Sequence, residues 1–383
     1  LPPVRTITRG PKHHWFAYYD KLQFDPSGRY CLGNAVDFEH RSPTGEDTIE
    51  VGMVDLQQSD RWTPLGTSGA WGWQQGCMLQ WVPGSESLVV YNDRQDGQYV
   101  SQVQDVFSGK RSTLSRAIYA LSPMGQYAVT TDFRRINELR PGYGYSGLPD
   151  QYTHEKAPAE VGIERIDLHS GEVKMLVSLQ DIIDVPYPGG FGDGKHWFNH
   201  LLVSPDGKRT IFLHRWQTGG RWATRMFTIG LDGSDLREIN PGAGMVSHFI
   251  WRDPDHILAW STHPSAGNAF YLLEDRVGGS IEPVGTDLLK RDGHCMYLPG
   301  NEWIISDTYP QGPERLQEVY LYYVASGRKV SLGAFHLPPQ YTGEWRCDTH
   351  PRFSPDGRSI CIDSPHTGEG RQMHLIDISG IVG

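Results

Sequence analysis

The sequence predicts an all-β chain, a seven-bladed β-propeller in a single domain over residues 1–383, with loop insertions at about 134–158 and 181–199. Three observations predict it. One phrase recurs seven times: an apolar stretch, a turn built from Pro, Asp and Gly, and a second apolar stretch that ends in polar residues. A third strand-like phrase follows each copy. Composition agrees, since 44 Gly and 26 Pro supply turns for many short strands, and 12 Trp, 18 Tyr and 13 Phe supply flat filling between sheets.

In chain order the copies read KLQFDPSGRYCLG, MLQWVPGSESLVVYND, IYALSPMGQYAVTTD, HLLVSPDGKRTIFLHR, HFIWRDPDHILAWSTH, HCMYLPGNEWIISD and HPRFSPDGRSICIDSPH. Each is a hairpin, because short apolar runs flanking a Pro/Asp/Gly cluster can reverse direction only there. The following phrases, such as VGMVDLQQSD, IERIDLHSGE and HLIDISG, are third strands. The N-terminal VRTITR phrase is expected to supply the outer strand that closes the last blade. The longest interval between copies carries two Gly-, Pro- and Tyr-rich segments, from Arg134 to Pro158 and from Asp181 to Asn199. Long loops in a compact domain are usually binding loops.

Counting five residues back from each turn proline, or from Asp253 in the irregular fifth copy, reaches Lys21, Met78, Ile118, His200, His248, His294 and His350. The start of the innermost strand of each blade lies on one face, so four histidines of the 16 in the chain are expected at one height around a central channel. Two readings of that ring compete: imidazoles bonded to each other and to water, or a divalent metal shared with a general base. The second is preferred for the set, and no organic cofactor is expected. The ends of second strands and the loops beside them add Gln75, Asn92, Arg94, Tyr143, His214, Arg215, Trp345, Arg346 and Arg352 as substrate-binding candidates. Arginines gathered in an acidic protein form a local anion site, since the guanidinium fork matches a carboxylate. Aromatics beside them suit a sugar ring.

The net charge of -10 excludes a nucleic-acid surface, which needs a basic footprint. No run approaches the roughly 18 apolar residues of a membrane helix. Five scattered cysteines with no C-x-x-C pair are no disulfide scaffold. The start at Leu1 suggests a processed precursor, so a secreted or periplasmic monomer is expected, with the cytoplasm as the alternative.

From His200 to His350 the chain resembles the oligogalacturonate lyase family of propellers: HLLVSPDGKRTIFLHRW, TRMFTIGLDGSDLREI, SHFIW, GHC and DTHPRFSPDG stand in the same order. The resemblance implies that Arg225 and His248 are the catalytic pair and that His294 and His350 hold a divalent metal, often manganese, with His200 or water to complete the site and calcium or zinc as the other expected metals. The chain departs from the family pattern at Arg352, where a further histidine is expected, and near Cys347, where a glutamine is expected. A weaker resemblance, through IYALSPMGQYAVTTDFRR and RPGYGY, is to lyases that cleave ulvan or rhamnose–glucuronate linkages, and implies catalytic roles for Tyr119 and Arg135. Both imply β-elimination beside a uronate: a cation neutralises the carboxylate, a base takes the C5 proton, and an acid protonates the leaving oxygen. The expected substrate is thus an acidic oligo- or polysaccharide. The alternatives are a glycoside hydrolase acting on a uronate-containing or rhamnose-capped glycan, with a carboxylate pair drawn from Asp93, Asp132, Asp307 and Asp348, and a non-catalytic carbohydrate-binding propeller.

Overall fold

The computed structural model describes residues 1–16 and 18–383. It contains seven four-stranded antiparallel sheets, the blades of a seven-bladed β-propeller. The chain divides into two compact units, residues 1–114 with 291–383, and residues 115–290.

Unit one carries blades one, two, six and seven. Blade one runs His13–Trp15, Tyr30–Val36, Ile49–Asp55 and Arg61–Ser68, and blade two runs Gln80–Trp81, Leu88–Gln95, Gln98–Asp105 and Arg111–Leu114. Blade six comprises Met296–Tyr297, Trp303–Asp307, Leu316–Tyr323 and Arg328–His336. Blade seven is made from both ends of the chain: Arg352–Phe353, Ser359–Ser364 and Gln372–Asp377 are joined by Val4–Thr6 as the outermost strand, with Val4 opposite Ile376 and Thr6 opposite His374. The N-terminal phrase therefore closes the last blade as expected. Trp15, Trp71 and Trp73 fill the core of this unit, with ring centroids 5.1 to 5.8 Å apart.

Unit two carries blades three, four and five. Their strands are Ala120–Leu121, Tyr127–Thr130, Gly162–Asp167 and Val173–Ser178; His196–Val203, Arg209–Thr218, Arg221–Gly230 and Arg237–Ile239; and Val246–Asp253, His256–His263, Gly267–Glu274 and Ile281–Val284.

The repeated turn works as its sequence requires. In SPDG, Gly207 and Gly357 take φ of 72° and 68°, and their amides donate to the carbonyls of Ser204 and Ser354. The inner strands break register at the position of interest. Bulges fall between Asn199 and Leu202 and between Val246 and Phe249, and Met78, His200 and His350 adopt left-handed backbone with φ of 55°, 51° and 39°. Such bulges re-aim a side chain out of the pleat, and left-handed non-glycine residues persist only where surrounding structure holds them.

Both insertions differ from simple loops. Helix α1, Phe133–Leu139, is capped by Asp132, whose side chain accepts from the Arg134 amide at 2.8 Å. Helix α2, Leu179–Ile183, begins with a capping box between Ser178 and Asp181. The second insertion also ends early: His196 to Asn199 pair with Leu213 to Trp216 as strand, because their aromatic side chains are buried on blade four.

Candidate functional site

Unit one gathers a buried group of metal-binding type. Donor atoms of His294, Asp348 and His350 all lie within 4.8 Å of one another. The blade-six and blade-seven turns place them. His294 stands just before Met296–Tyr297, and His350 just before Arg352–Phe353. Asp348 and His350 are two apart in the segment leading into that strand, where the Thr349 carbonyl accepts from the Asp363 amide.

His294 is oriented from behind. Both carboxylate oxygens of Asp307 lie 2.9 Å from its Nδ1, its backbone amide donates to Asp307 Oδ1 at 2.7 Å, and the Thr349 hydroxyl donates to Asp307 Oδ2 at 2.5 Å. With Nδ1 committed, Nε2 is the atom left to coordinate, the carboxylate–histidine–metal arrangement. Burial disfavours the charged imidazolium, but the Asp307 carboxylate, its hydrogen bond and Asp348 more than offset that, so the His294 pKa is raised. Asp307 shows the converse: burial pushes its pKa up, and the His294 charge and hydrogen bonds bring it below the usual value. A cation at Nε2 would replace that proton.

The rings of His294 and His350 are 4.2 Å apart at 87°. Tyr18 stands 5.2 Å from His350, while Tyr19 and Tyr309 stand 5.3 and 5.7 Å from His294. Arg346 grips Asp348 with two hydrogen bonds of 2.6 Å, and its guanidinium lies 5.0 Å from the Tyr309 ring. A carboxylate has about four lone-pair positions, so Asp348 can serve both Arg346 and a cation. Two imidazole nitrogens and one carboxylate oxygen fit manganese or zinc, whereas calcium prefers an all-oxygen shell.

Several expected residues have partners within the protein. His200, the third expected ligand, belongs to unit two, where its ring stacks on Phe249 at 3.9 Å. Arg352 is buried and bidentate to Asp363 at 2.8 and 3.2 Å, and also donates to Gln23 and to the carbonyls of Thr349 and His350. It holds the backbone beneath His350. Asn92 is buried and accepts from Ser101, and Gln75 is equally buried. Arg94 donates to the Gly45 carbonyl, and Trp345 to that of Gln340. Gln74, which sequence reasoning passed over, donates to the carbonyls of Glu344 and Arg346 and so tethers the turn that carries Arg346.

In unit two, His248 is buried with its Nδ1 3.2 Å from the Ser247 hydroxyl. The Tyr119 hydroxyl accepts from the His200 amide at 2.8 Å, and its ring stacks on Phe133. Arg135 is buried, and its donors are taken by Asp150 and by the carbonyls of Tyr152, Glu155, Lys156 and His196. It pins the first insertion. Arg225 is bidentate to Glu238 at 2.8 and 2.6 Å and donates to the carbonyls of Val185 and Pro186. Its charge is matched by Glu238, and it anchors the second insertion. His214 is closed off beneath Trp216, with Nε2 2.8 Å from Nδ1 of His196; burial pushes both histidines down, His196 to about 4. Tyr143 is buried under the Arg140 guanidinium, and Arg215 is half-buried.

The carboxylates proposed for a hydrolytic pair are likewise committed. Asp93 accepts from the amides of Gly69 and Arg94, Asp132 caps α1, Asp307 holds His294, and Asp348 holds Arg346.

Blade count and strand order thus define a seven-bladed β-propeller with a buried His–Asp–His group. Among solved structures, an oligogalacturonate lyase in complex with manganese is similar over 98% of this chain and 93% of its own, with a TM-score of 0.73 and 15% identity. An oligogalacturonate lyase from Vibrio parahaemolyticus has a TM-score of 0.69 at 14% identity over the same shares. The tricorn protease shares the fold more distantly, at a TM-score of 0.52 and 10% identity over 97% of this chain and 34% of its own. No protein-family model matches the sequence, and no curated protein matches it significantly. These likenesses establish the fold; they lend nothing to the ulvan or rhamnose–glucuronate resemblance.

Proposed function

We propose that the protein is a lyase that cleaves a uronic-acid-containing oligo- or polysaccharide by β-elimination. The observation that carries this reading is the His294–Asp348–His350 group with Asp307 behind His294. It occurs in a fold shared with an oligogalacturonate lyase that binds manganese.

His294, His350 and Asp348 would hold the metal, which would act as a Lewis acid on the substrate carboxylate and so stabilise charge that develops at C5. Asp307 keeps the His294 tautomer that presents Nε2, and Thr349 fixes Asp307. Arg346 balances the Asp348 charge, and Tyr18, Tyr19 and Tyr309 pack against the histidine rings. His248 is the proposed base: it takes the C5 proton, the C4–O bond breaks, a C4=C5 double bond forms, and the leaving oxygen is protonated, with Tyr119 the proposed donor. Because the carboxylates are already committed, hydrolysis by a carboxylate pair is not favoured.

The test is the ultraviolet absorbance of the conjugated unsaturated uronide on incubation with galacturonate, glucuronate and iduronate oligomers and manganese. Signal with one of them, abolished in His350→Ala and in His248→Ala, supports the reading. Chain cleavage without that absorbance would mean a hydrolase.

A further inference from the structure

A cavity of about 410 Å³ opens on unit one, and none of its lining residues belongs to the His294 group. Its size falls within the range of small-molecule sites.

One wall is the indole of Trp62. That ring lies against Gly52, where a Cβ would come within 2.3 Å of it, and against Gly33, the residue paired with Gly52 across the sheet. Two facing glycines therefore make the seat for one large ring. Trp62 Nε1 donates to Glu50 Oε1 at 2.7 Å, so the ring is oriented before any ligand arrives. His14 stands at 73° to the indole with centroids 4.9 Å apart, and its Nδ1 is 3.0 Å from Gln372 Oε1. Burial lowers the His14 pKa to about 4, which leaves this side of the cavity uncharged at neutral pH.

The lining charges are unequal in their commitments. Glu50 Oε2 accepts from Lys12 Nζ at 3.2 Å, and Asp60 is paired with Arg5. Arg9 is exposed and has no ion pair or hydrogen bond among the described residues. The cavity thus offers a flat amphipathic wall, neutral hydrogen-bonding groups and one uncompensated guanidinium. A pyranose ring stacks on an indole through its C–H face, and a guanidinium takes a carboxylate through two parallel hydrogen bonds.

We propose that this cavity is a second saccharide site, which seats a uronate residue with its ring on Trp62, its hydroxyls near Glu50 and its carboxylate on Arg9. The choice of a uronate rests on the lyase reading above; the presence of a sugar-binding cavity does not. A site separate from the reacting group would hold a polymer near the protein between cleavage events, which is multivalent attachment with no effect on the chemical step.

The experiment titrates trigalacturonate, triglucuronate and neutral maltotriose into the His248→Ala protein by calorimetry and tryptophan fluorescence. Two binding events per chain are expected with an acidic trimer. Arg9→Ala should weaken one of them about tenfold, the loss of one charge-assisted contact, and bring it to the maltotriose level. Trp62→Ala should remove that event and its fluorescence change. In the parent protein, Arg9→Ala should leave the initial rate on a trimer unchanged and slow the depolymerisation of long chains. An isotherm, of one event or two, that is unchanged in both variants overturns the proposal. If no glycan is cleaved but Trp62→Ala still removes a saccharide-binding event, the lyase reading fails and the site stands.

Discussion

At the residue scale the decisive groups are those whose partners are buried with them. Asp307→Asn keeps the shape of the side chain but not its charge, and such outer partners typically contribute 10- to 100-fold to metal affinity. Manganese titration of the folded variant should show a loss of about that size, whereas His350→Ala should abolish binding. Arg135→Ala leaves Asp150 buried without its partner, which costs about 3–5 kcal/mol, and urea denaturation should show it. Acid sensitivity follows from His14, His196 and His374, each pushed to about 4 first of all by burial. Their folded values lie below the unfolded value near 6.5, so the stability they support is full above that value and is lost as pH falls toward about 4. Thermal melting from pH 7 to pH 4 should show a falling Tm, and the drop should be smaller in His196→Gln. The histidine register was legible in the sequence at His294 and His350. Asp348, the third member of the His294 group, was read only as a candidate hydrolytic carboxylate, although it stands two residues before His350 in DTHP.

At the scale of elements, the repeated phrase was enough to place every blade, because a two-residue period and a Pro/Asp/Gly turn are local properties. The closing strand Val4–Thr6 was legible for the same reason. Removing residues 1–8 would expose the edge of blade seven and lose the buried Ile7, an expected cost of about 2–5 kcal/mol with aggregation visible by light scattering. The two short helices were not legible. Seven residues in α1 and five in α2 are too few for an amphipathic period, and tertiary packing stabilises them. Gly144 shows that packing directly: a Cβ there would lie 2.2 Å from the Asn137 amide nitrogen of α1. Gly144→Ala should therefore lower stability by about 1–3 kcal/mol, with the loss read from chemical denaturation.

At the scale of the whole molecule, a metal that binds only the folded chain should raise its stability by about 2.7 kcal/mol at a hundredfold excess over Kd. Manganese should accordingly raise the Tm, a chelator should reverse the rise, and His350→Ala should show neither effect. Seven blades, their turns, the acidic net charge and the positions of His294 and His350 follow from local pattern and composition, since each copy of the phrase repeats the same short-range physics. The partners of each charged group do not. Arg135, Arg225 and Arg352 were expected to face a substrate, yet Asp150, Glu238 and Asp363 occupy them. A buried guanidinium must satisfy its donors with whatever carboxylates and carbonyls the packed chain brings near. Glu238 and the Val185 carbonyl lie 13 and 40 residues from Arg225, and only the folded chain puts them against it.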